Sequence, residues 1–351
     1  MTQNLREKQA NGGAIFEGEA AVPSSFGNDA IAVKAAQEGV VLCDRSHWGL
    51  IQVSGEDRLQ FLHNQSTNAI ASLQAGQGCN TVFVTSTART LDLATVWAAE
   101  EAVWLLLSPG QHESMMAWLD RFLFPMDRVE LRDRSDEMAV FSLIGPDSER
   151  LLAAIAPHLS LNPPEGNHQL ATLAETEVRV AVGCGLALPG YTVVLAAEKA
   201  GVVWEQLANA GAVPMGDRAW EQLRIQQGRP VPHRELTDDY NPLEAGLWGC
   251  ISFTKGCYIG QETIARLNTY QGVKQRLWGV RLDALAQPGS AIALDEKKVG
   301  TLTSSTATET GFFGLAYIKT KAGGEGLGVQ VGDATGELVA VPFLTHEYYV
   351  P

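Results

Sequence analysis

Lys255, Gly256, Cys257, Gly260 and Glu262 crowd the start of the stretch KGCYIGQETIARL, Lys255 to Leu267, and the chemistry they can do together is that of a thiol. A cysteine acts as nucleophile or metal ligand through its thiolate, which neighbouring cations and helix N-termini favour. Glu262 to Leu267 has helical character, with Ile264 and Leu267 three apart on one face. A helix opening near Gly260 points its unsatisfied N–H groups and the positive end of its dipole back at Cys257. Lys255 adds a cation two residues away, and the two glycines allow a tight loop. The competing reading is structural: unpaired cysteines are among the most buried residue types, so Cys257 would be a small apolar side chain and the glycines would simply turn the chain.

Two further stretches carry polar chemistry. The proline-bearing loop RPVPHRELTDDYNPLEAGL, residues 229–247, gathers Arg229, His233, Arg234, Glu235 and Glu244 into one neighbourhood, and loops are where binding groups concentrate. LHNQSTN, residues 62–68, is rich in amides and hydroxyls; it either lines a cavity or satisfies the orphan carbonyls of a helix end.

The elements that must position these groups are well punctuated. Asn28 as N-cap and Gly39 as stop bracket a first helix, and Val40 to Leu42 follow as a short buried strand. GLIQVSG reads as a strand and DRLQFL as a helix beginning beyond Gly55. NTVFVT, LDLATVW and VWLLLS form consecutive hairpins, which build an antiparallel sheet. Met115, Trp118, Leu119 and Phe122 make an amphipathic core-facing helix. MAVFSLIG predicts a strand, followed by a helix through Leu151, Leu152 and Ile155 and a long loop at LNPPEGNH. VRVAVG and GYTVVL are strands, and helices follow over Glu198 to Ala210 and Asp217 to Gln227. Past Gly272 the pattern changes to short strands separated by glycine turns, LWGVRL, SAIALD, KKVGTLTSS, GFFGLAYI, GVQVG and GELVAVPFL, the signature of a separate small β-barrel or sandwich.

Size and charge bound the rest. A chain of 351 residues with 45% hydrophobic content fills two or three domains. Its net charge of −14, from 26 basic and 40 acidic residues, argues against general nucleic-acid or membrane-surface binding, both of which need a basic footprint. The first residues lack the apolar core of a signal peptide, no stretch is long enough to span a bilayer, and the chain reads as cytoplasmic. Five widely spaced cysteines, Cys43, Cys79, Cys184, Cys250 and Cys257, fit reduced thiols; without a CxxC or HExxH pattern no metal site is signalled. Neither a GxGxxG between strand and helix nor a GK[ST] is present, so dinucleotide or nucleoside triphosphate cradling is not indicated.

KGCYIGQETIAR, with VSGEDRLQFLHNQSTN, LIGPDS, GYTVVL, PMGDRAWEQLRIQQGRP, PLEAGL and VGTLTSS, resembles the YgfZ proteins, folate-binding relatives of the glycine cleavage system T-protein. The similarity runs from about Leu42 to the C-terminus, and TARTLDLA together with GCYIGQETIARL looks most like the cyanobacterial and plastid branch. The resemblance implies an α+β protein of interleaved antiparallel sheet-plus-helix domains with a C-terminal β-barrel. One domain combines residues 48–135 with 214–275, a second combines 1–47 with 136–213, and the barrel takes 276–351. It further implies tetrahydrofolate, or a folate derivative, as cofactor, and a role supporting iron–sulfur cluster assembly or repair. Iron–sulfur enzymes or assembly factors would be the partners of what is expected to be a monomer. Cys257 would be the reactive thiol with Lys255 beside it as the catalytic pair. Lys255 and Arg266 would meet the folate's glutamate carboxylates, with Arg224 a second candidate for that tail. Glu262 would orient the loop or accept from the pterin, and Asp92 and Glu244 join the cofactor-binding set. Glu262 and Arg266 are also four apart and can simply pair on a helix face.

The sequence departs from the T-protein where that protein's resemblance implies catalysis. A GG-x-x-DD-L element there carries a catalytic aspartate at its first Asp; here the aligned stretch is TARTLDL, with Leu91 at that position and Asp92 at the second. The T-protein's TGEDGFE after GYT is replaced by VVL following Gly190, Tyr191 and Thr192. A leucine can neither take nor give a proton, and a missing general acid or base costs roughly 10²–10⁴-fold in rate. Efficient aminomethyl transfer is therefore not expected; the alternative, one-carbon transfer on tetrahydrofolate, requires Asp92 to stand in.

Overall fold

A computed structural model describes residues 3–18, 22–161 and 163–350. In chain order the elements are α1 (Gln3–Asn11), α2 (Asp29–Glu38), β1 (Val41–Asp44), β2 (Trp48–Ser54), α3 (Arg58–Gln65), β3 (Gly78–Val84), β4 (Thr90–Ala98), β5 (Ala102–Pro109), α4 (His112–Asp120), β6 (Glu130–Asp133), β7 (Met138–Ile144), α5 (Ser148–Ile155), β8 (His168–Leu173), β9 (Thr176–Val182), β10 (Gly190–Ala196), α6 (Ala200–Asn209), β11 (Val213–Met215) and α7 (Asp217–Gln227). After a long irregular segment come α8 (Gln261–Thr269) and six strands: β12 (Gln275–Leu282), β13 (Ala291–Leu294), β14 (Lys297–Thr308), β15 (Gly311–Lys319), β16 (Gly328–Val331) and β17 (Ala334–Val339). The strands form a six-stranded sheet ordered β11-β1-β7-β10-β9-β8, a five-stranded sheet ordered β3-β4-β5-β2-β6, and a closed barrel ordered β12-β15-β14-β13-β16-β17. The chain is thus α+β with a C-terminal barrel, as the resemblance implies. Among the described residues no helix is long and apolar enough to cross a membrane.

Contacts divide the chain into two compact units: Met1–Leu62, Ile70–Asn80 and Ala94–Glu221 make the first, and His63–Ala69, Thr81–Leu93 and Gln222–Pro351 the second. In the first, the six-stranded sheet buries one face beneath helices. Leu42, Phe141, Leu143, Val178, Val193 and Leu195 meet Leu5 of α1, Leu151 and Leu152 of α5, and Val203, Trp204 and Leu207 of α6. Phe141 sets the edge of its ring against Trp204, centroids 5.3 Å apart. In the second unit Val280, Leu282, Ile292, Leu302, Ala316, Ile318, Val331 and Leu338 fill the barrel.

Several local expectations shift. Asn28 stands at the start of α2 but its amide donates to the Pro214 carbonyl, with no side-chain cap. Phe122 lies beyond the end of α4, where its ring edge meets Trp118. The helix expected from Glu198 begins instead as a 3₁₀ turn, Ala197–Lys199, ahead of α6. The LNPPEGNH loop includes Asn162, which lies outside the described residues. Helix α1 has no apolar stripe to announce it: Leu5 alone is a buried aliphatic anchor, and the fully buried Gln9 donates to Asp44 at 2.7 Å.

His168, at the start of β8, is buried between a cation and a carbonyl. Its Nδ1 accepts from Arg179 at 2.7 Å and its Nε2–H donates to the Ala98 carbonyl at 2.9 Å. Burial, then the Arg179 charge, pushes its pKa down to about 4. Between the ordinary value of 6.5 and about 4 the unfolded chain therefore binds a proton that the folded chain refuses, and stability falls as pH falls through that window. Buried Asp44, whose pKa burial raises, acts in the opposite sense. The contribution of His168 is accordingly isolated by difference: His168→Gln should lose less urea resistance than the parent chain between about pH 7 and about pH 5. An equal loss in both chains would contradict this assignment.

Candidate functional site

Helix α3 stops at Gln65, and the carbonyls of its last turn have no continuing helix to satisfy them. Lys255 supplies donors to one of them, that of His63, and to two carbonyls of the turn that follows. Its ammonium donates to the carbonyls of His63, Ser66 and Asn68 at 2.5, 2.8 and 2.7 Å, so that three N–H groups meet three oxygens. The side chain also lies over the Tyr258 ring, 4.8 Å from its centroid. Of the two readings of HNQSTN, satisfaction of a helix end is thus what its backbone does. The ammonium is directed at carbonyl oxygens and acts as a clamp.

Further bonds pin the same loop. Thr67 Oγ1 donates to the Cys250 carbonyl at 2.7 Å, the Ser252 N–H to the Thr67 carbonyl at 3.0 Å, and the Ile259 N–H to the Asn64 carbonyl at 3.1 Å. Gly260, at φ +82°, opens α8 in the left-handed region, and a Cβ there would stand 2.9 Å from both the Thr85 carbonyl oxygen and Val84 Cγ2. Ile264, fully buried, and Leu267 then pack with Ala88, Leu243, Trp248, Ile251, Tyr258 and Val273. Between these anchors Cys257 is a free, exposed thiol, so the reading of it as a buried apolar side chain does not hold. Glu262 and Arg266 are exposed on α8, and among the described residues no ion pair joins them.

The remaining predicted residues are distributed through the second unit. Leu91 is half-buried in β4, whereas the Asp92 side chain is fully buried and accepts the Leu93 N–H at 2.8 Å. Glu244 is 7% exposed; one carboxylate oxygen accepts the Asn241 N–H, and burial raises its pKa against the opposing effects of that bond and of Arg89. Arg224 is fully buried, donating to Glu235 at 3.0 Å and to Ser304 Oγ at 2.8 Å. Glu235 is equally buried and also accepts from Ser304 at 2.6 Å and from the Val231 N–H at 3.2 Å. Arg224 therefore ties α7 and the 229–247 loop to the barrel. Sequence reasoning missed three contributors: Gln65, whose buried Oε1 has no hydrogen-bond partner; Arg89, which donates to the Asp239 carbonyl at 2.8 Å; and Tyr240, stacked on Tyr317. The amide-rich run pointed at Gln65; Arg89 and Tyr240 carry no spacing signal.

Two substitutions test this arrangement. Lys255→Met should cost roughly 2–3 kcal/mol of stability, the range for hydrogen bonds to charged groups. It should also speed hydrogen exchange at the Ser252 and Ile259 amides and raise the pKa of His63, which burial and then the Lys255 charge depress. Lys255→Arg should not restore exchange protection, since a planar guanidinium cannot present three donors from one atom. Unchanged exchange in Lys255→Met would rule the clamp out. Arg224→Met should cost about 3–5 kcal/mol by leaving Glu235 charged and unpaired in the interior, with part of the loss recovered on adding Glu235→Gln.

Comparison with known proteins places this geometry. Residues 5–255 match the family described as GCVT N-terminal domain. The chain is 46% identical over 341 residues, 96% of its own length and 78% of the relative's, to the Arabidopsis thaliana protein named "Putative transferase At1g60990, chloroplastic". It is 28% identical to an aminomethyltransferase of Symbiobacterium thermophilum over 85% of this chain and 83% of that one. The fold matches the glycine cleavage system aminomethyltransferase T of Bartonella henselae with a TM-score of 0.85 at 19% identity, over 99% of both chains. The chain belongs to the GCVT N-terminal domain family and has the aminomethyltransferase fold.

Proposed function

We propose that this chain is a YgfZ-type, tetrahydrofolate-binding accessory protein that supports iron–sulfur cluster assembly or repair in other enzymes, and not an efficient aminomethyltransferase. The observation that carries this reading is the pair Leu91 and Asp92. Successive side chains of a strand point to opposite faces, so in β4 the carboxylate of Asp92 cannot occupy the place of the residue before it without reversing the strand. It is also fully buried and engaged with the Leu93 N–H. The proton-transfer group that the T-protein resemblance requires is missing at position 91, and its neighbour is not a substitute.

A pterin needs hydrogen-bond acceptors for its N–H groups, and the glutamate tail needs cations. The polar groups of the second unit suit those needs: Gln65 Oε1 is buried and without a partner, Glu244 is a buried carboxylate, and Arg266 is exposed on α8. Gln65 and Glu244 would hold the pterin and Arg266 the tail, Glu262 would accept beside it, and Lys255 and Arg224 would keep the walls in place. Tetrahydrofolate, when bound, supplies nitrogens able to carry one-carbon units. Cys257 is the accessible thiol on a pinned loop, suited to meet a client protein. Five widely spaced cysteines with no CxxC pair support a reducing compartment, whether cytosol or plastid. The three-part tracing of 48–135 with 214–275, 1–47 with 136–213, and 276–351 belongs to the same reading, as does a monomeric state.

Tetrahydrofolate should quench the fluorescence of the chain's eight tryptophans saturably; no response at about millimolar ligand, a concentration that reveals affinities as weak as about −4 kcal/mol, would remove folate from the proposal. Methylene release from an aminomethylated lipoyl carrier should run roughly 10²–10⁴-fold below a T-protein, and comparable turnover would favour the transferase. Cys257→Ser should fold normally yet fail to restore iron–sulfur enzyme activity in cells lacking their own copy; full restoration would overturn the role of the thiol.

A further inference from the structure

The six-stranded sheet has a second face. Alternation along β8, β9 and β10 sends Leu173, Val178, Val180, Val193 and Leu195 into the helix-covered core, and therefore turns Leu170, Glu177, Arg179 and Val194 the other way. Leu170, Arg179 and Val194 lie in one cross-strand row, and β8 is the outermost strand, so the row ends at a sheet edge. Two open cavities of about 430 and 470 Å³ adjoin along it, Leu170 and Arg179 lining both. Leu170 is 55% exposed although it sits mid-strand, and Trp104 offers an aromatic wall beside it.

The charge around this trough is one-sided. Glu175, Glu177 and Glu198 line the first cavity and Glu100 and Glu101 the second, against Arg179 and Lys199. Arg179 is already engaged, donating to His168 at 2.7 Å with Glu177 nearby. Carboxylates in this excess repel phosphate and nucleic acid and attract cations. An exposed leucine between them, beside a Trp104 ring that carries the Arg134 guanidinium 5.9 Å from its centroid, supplies the apolar contact that anchors a protein segment.

We propose that this face docks an extended segment of a partner protein that presents an apolar side chain between lysines or arginines. The apolar residue sits against Leu170 and Trp104, and the flanking cations meet the five carboxylates. The surface lies wholly within the first unit, so the proposal is independent of folate binding and of Cys257.

The test uses the full chain and a short fluorescein-labelled peptide in which one leucine is flanked on each side by two lysines, followed by fluorescence anisotropy. Binding should saturate, weaken with added salt, drop about tenfold or more in Glu175→Lys/Glu177→Lys/Glu198→Lys as expected for lost charge complementarity, and drop severalfold in Leu170→Ser. All four substituted positions are exposed, and unchanged circular dichroism and thermal midpoints would show that the variants fold. The proposal is overturned by absence of saturable binding, by equal binding to the charge-reversed variant, or by tighter binding of the same peptide with phosphoserines in place of lysines. Sedimentation showing a dimer that Leu170→Ser dissociates would also overturn it, assigning the face to a second copy of this chain.

Discussion

The ammonium of Lys255 on the carbonyls of His63, Ser66 and Asn68 is the contact from which the motif takes its shape. A helix end leaves its last carbonyls without donors, and turning the chain sharply after α3 points one of them and two carbonyls of the turn at one spot. An ammonium radiates three donors from a single atom, so it suits that convergence better than a guanidinium or a hydroxyl. Once Lys255 is fixed, the register of the following loop is fixed with it. Ser252 and Ile259 reach the same backbone on either side, Gly260 presses against the Thr85 carbonyl, and α8 leaves in one direction. Local polar satisfaction, more than apolar burial, sets where Cys257 stands.

A different economy operates around Arg224. Here two full charges are withdrawn from water, and the arrangement is stable because the remaining valences are met: Ser304 and Val231 complete Glu235, and Ser304 and the Arg229 carbonyl complete Arg224. The Tyr317 hydroxyl adds a bond to the Glu235 carbonyl, drawing β15 into the network. Directional bonds of this sort define a geometry that a purely apolar contact between the 229–247 loop and the barrel would leave free to slide.

How much of this was legible in the sequence depended on periodicity. The six barrel strands could be read because glycine turns separate short apolar runs, and α4, α5 and α8 because their apolar residues recur at helical spacing. Helix α1 and strands β6, β8 and β11 could not, since α1 has one aliphatic anchor, β6 is almost wholly exposed and β11 is three residues long. At the site, the start of α8 and the exposed position of α8's charged residues follow from local pattern. The direction taken by the Lys255 side chain does not, because its acceptors lie about 190 residues away in sequence, and long-range backbone acceptors carry no residue-type signature. The burial of Arg224 was hidden for the same reason: its partner Glu235 sits in a loop whose polar composition reads as solvent-facing.

Alternation gives Leu91 and Asp92 opposite faces of β4. A strand cannot slip by one residue without moving every side chain to the opposite face, and β4 is held in register by Thr95 against Leu106 through Ala98 against Val103. The Asp92 carboxylate thus cannot be brought to the face of Leu91 by small backbone adjustments. Setting a carboxylate on that face demands a codon change at position 91 itself, where a half-buried hydrocarbon side chain stands. Strand pairing thereby makes two neighbouring codons independent in what they can contribute, one to each face of the sheet.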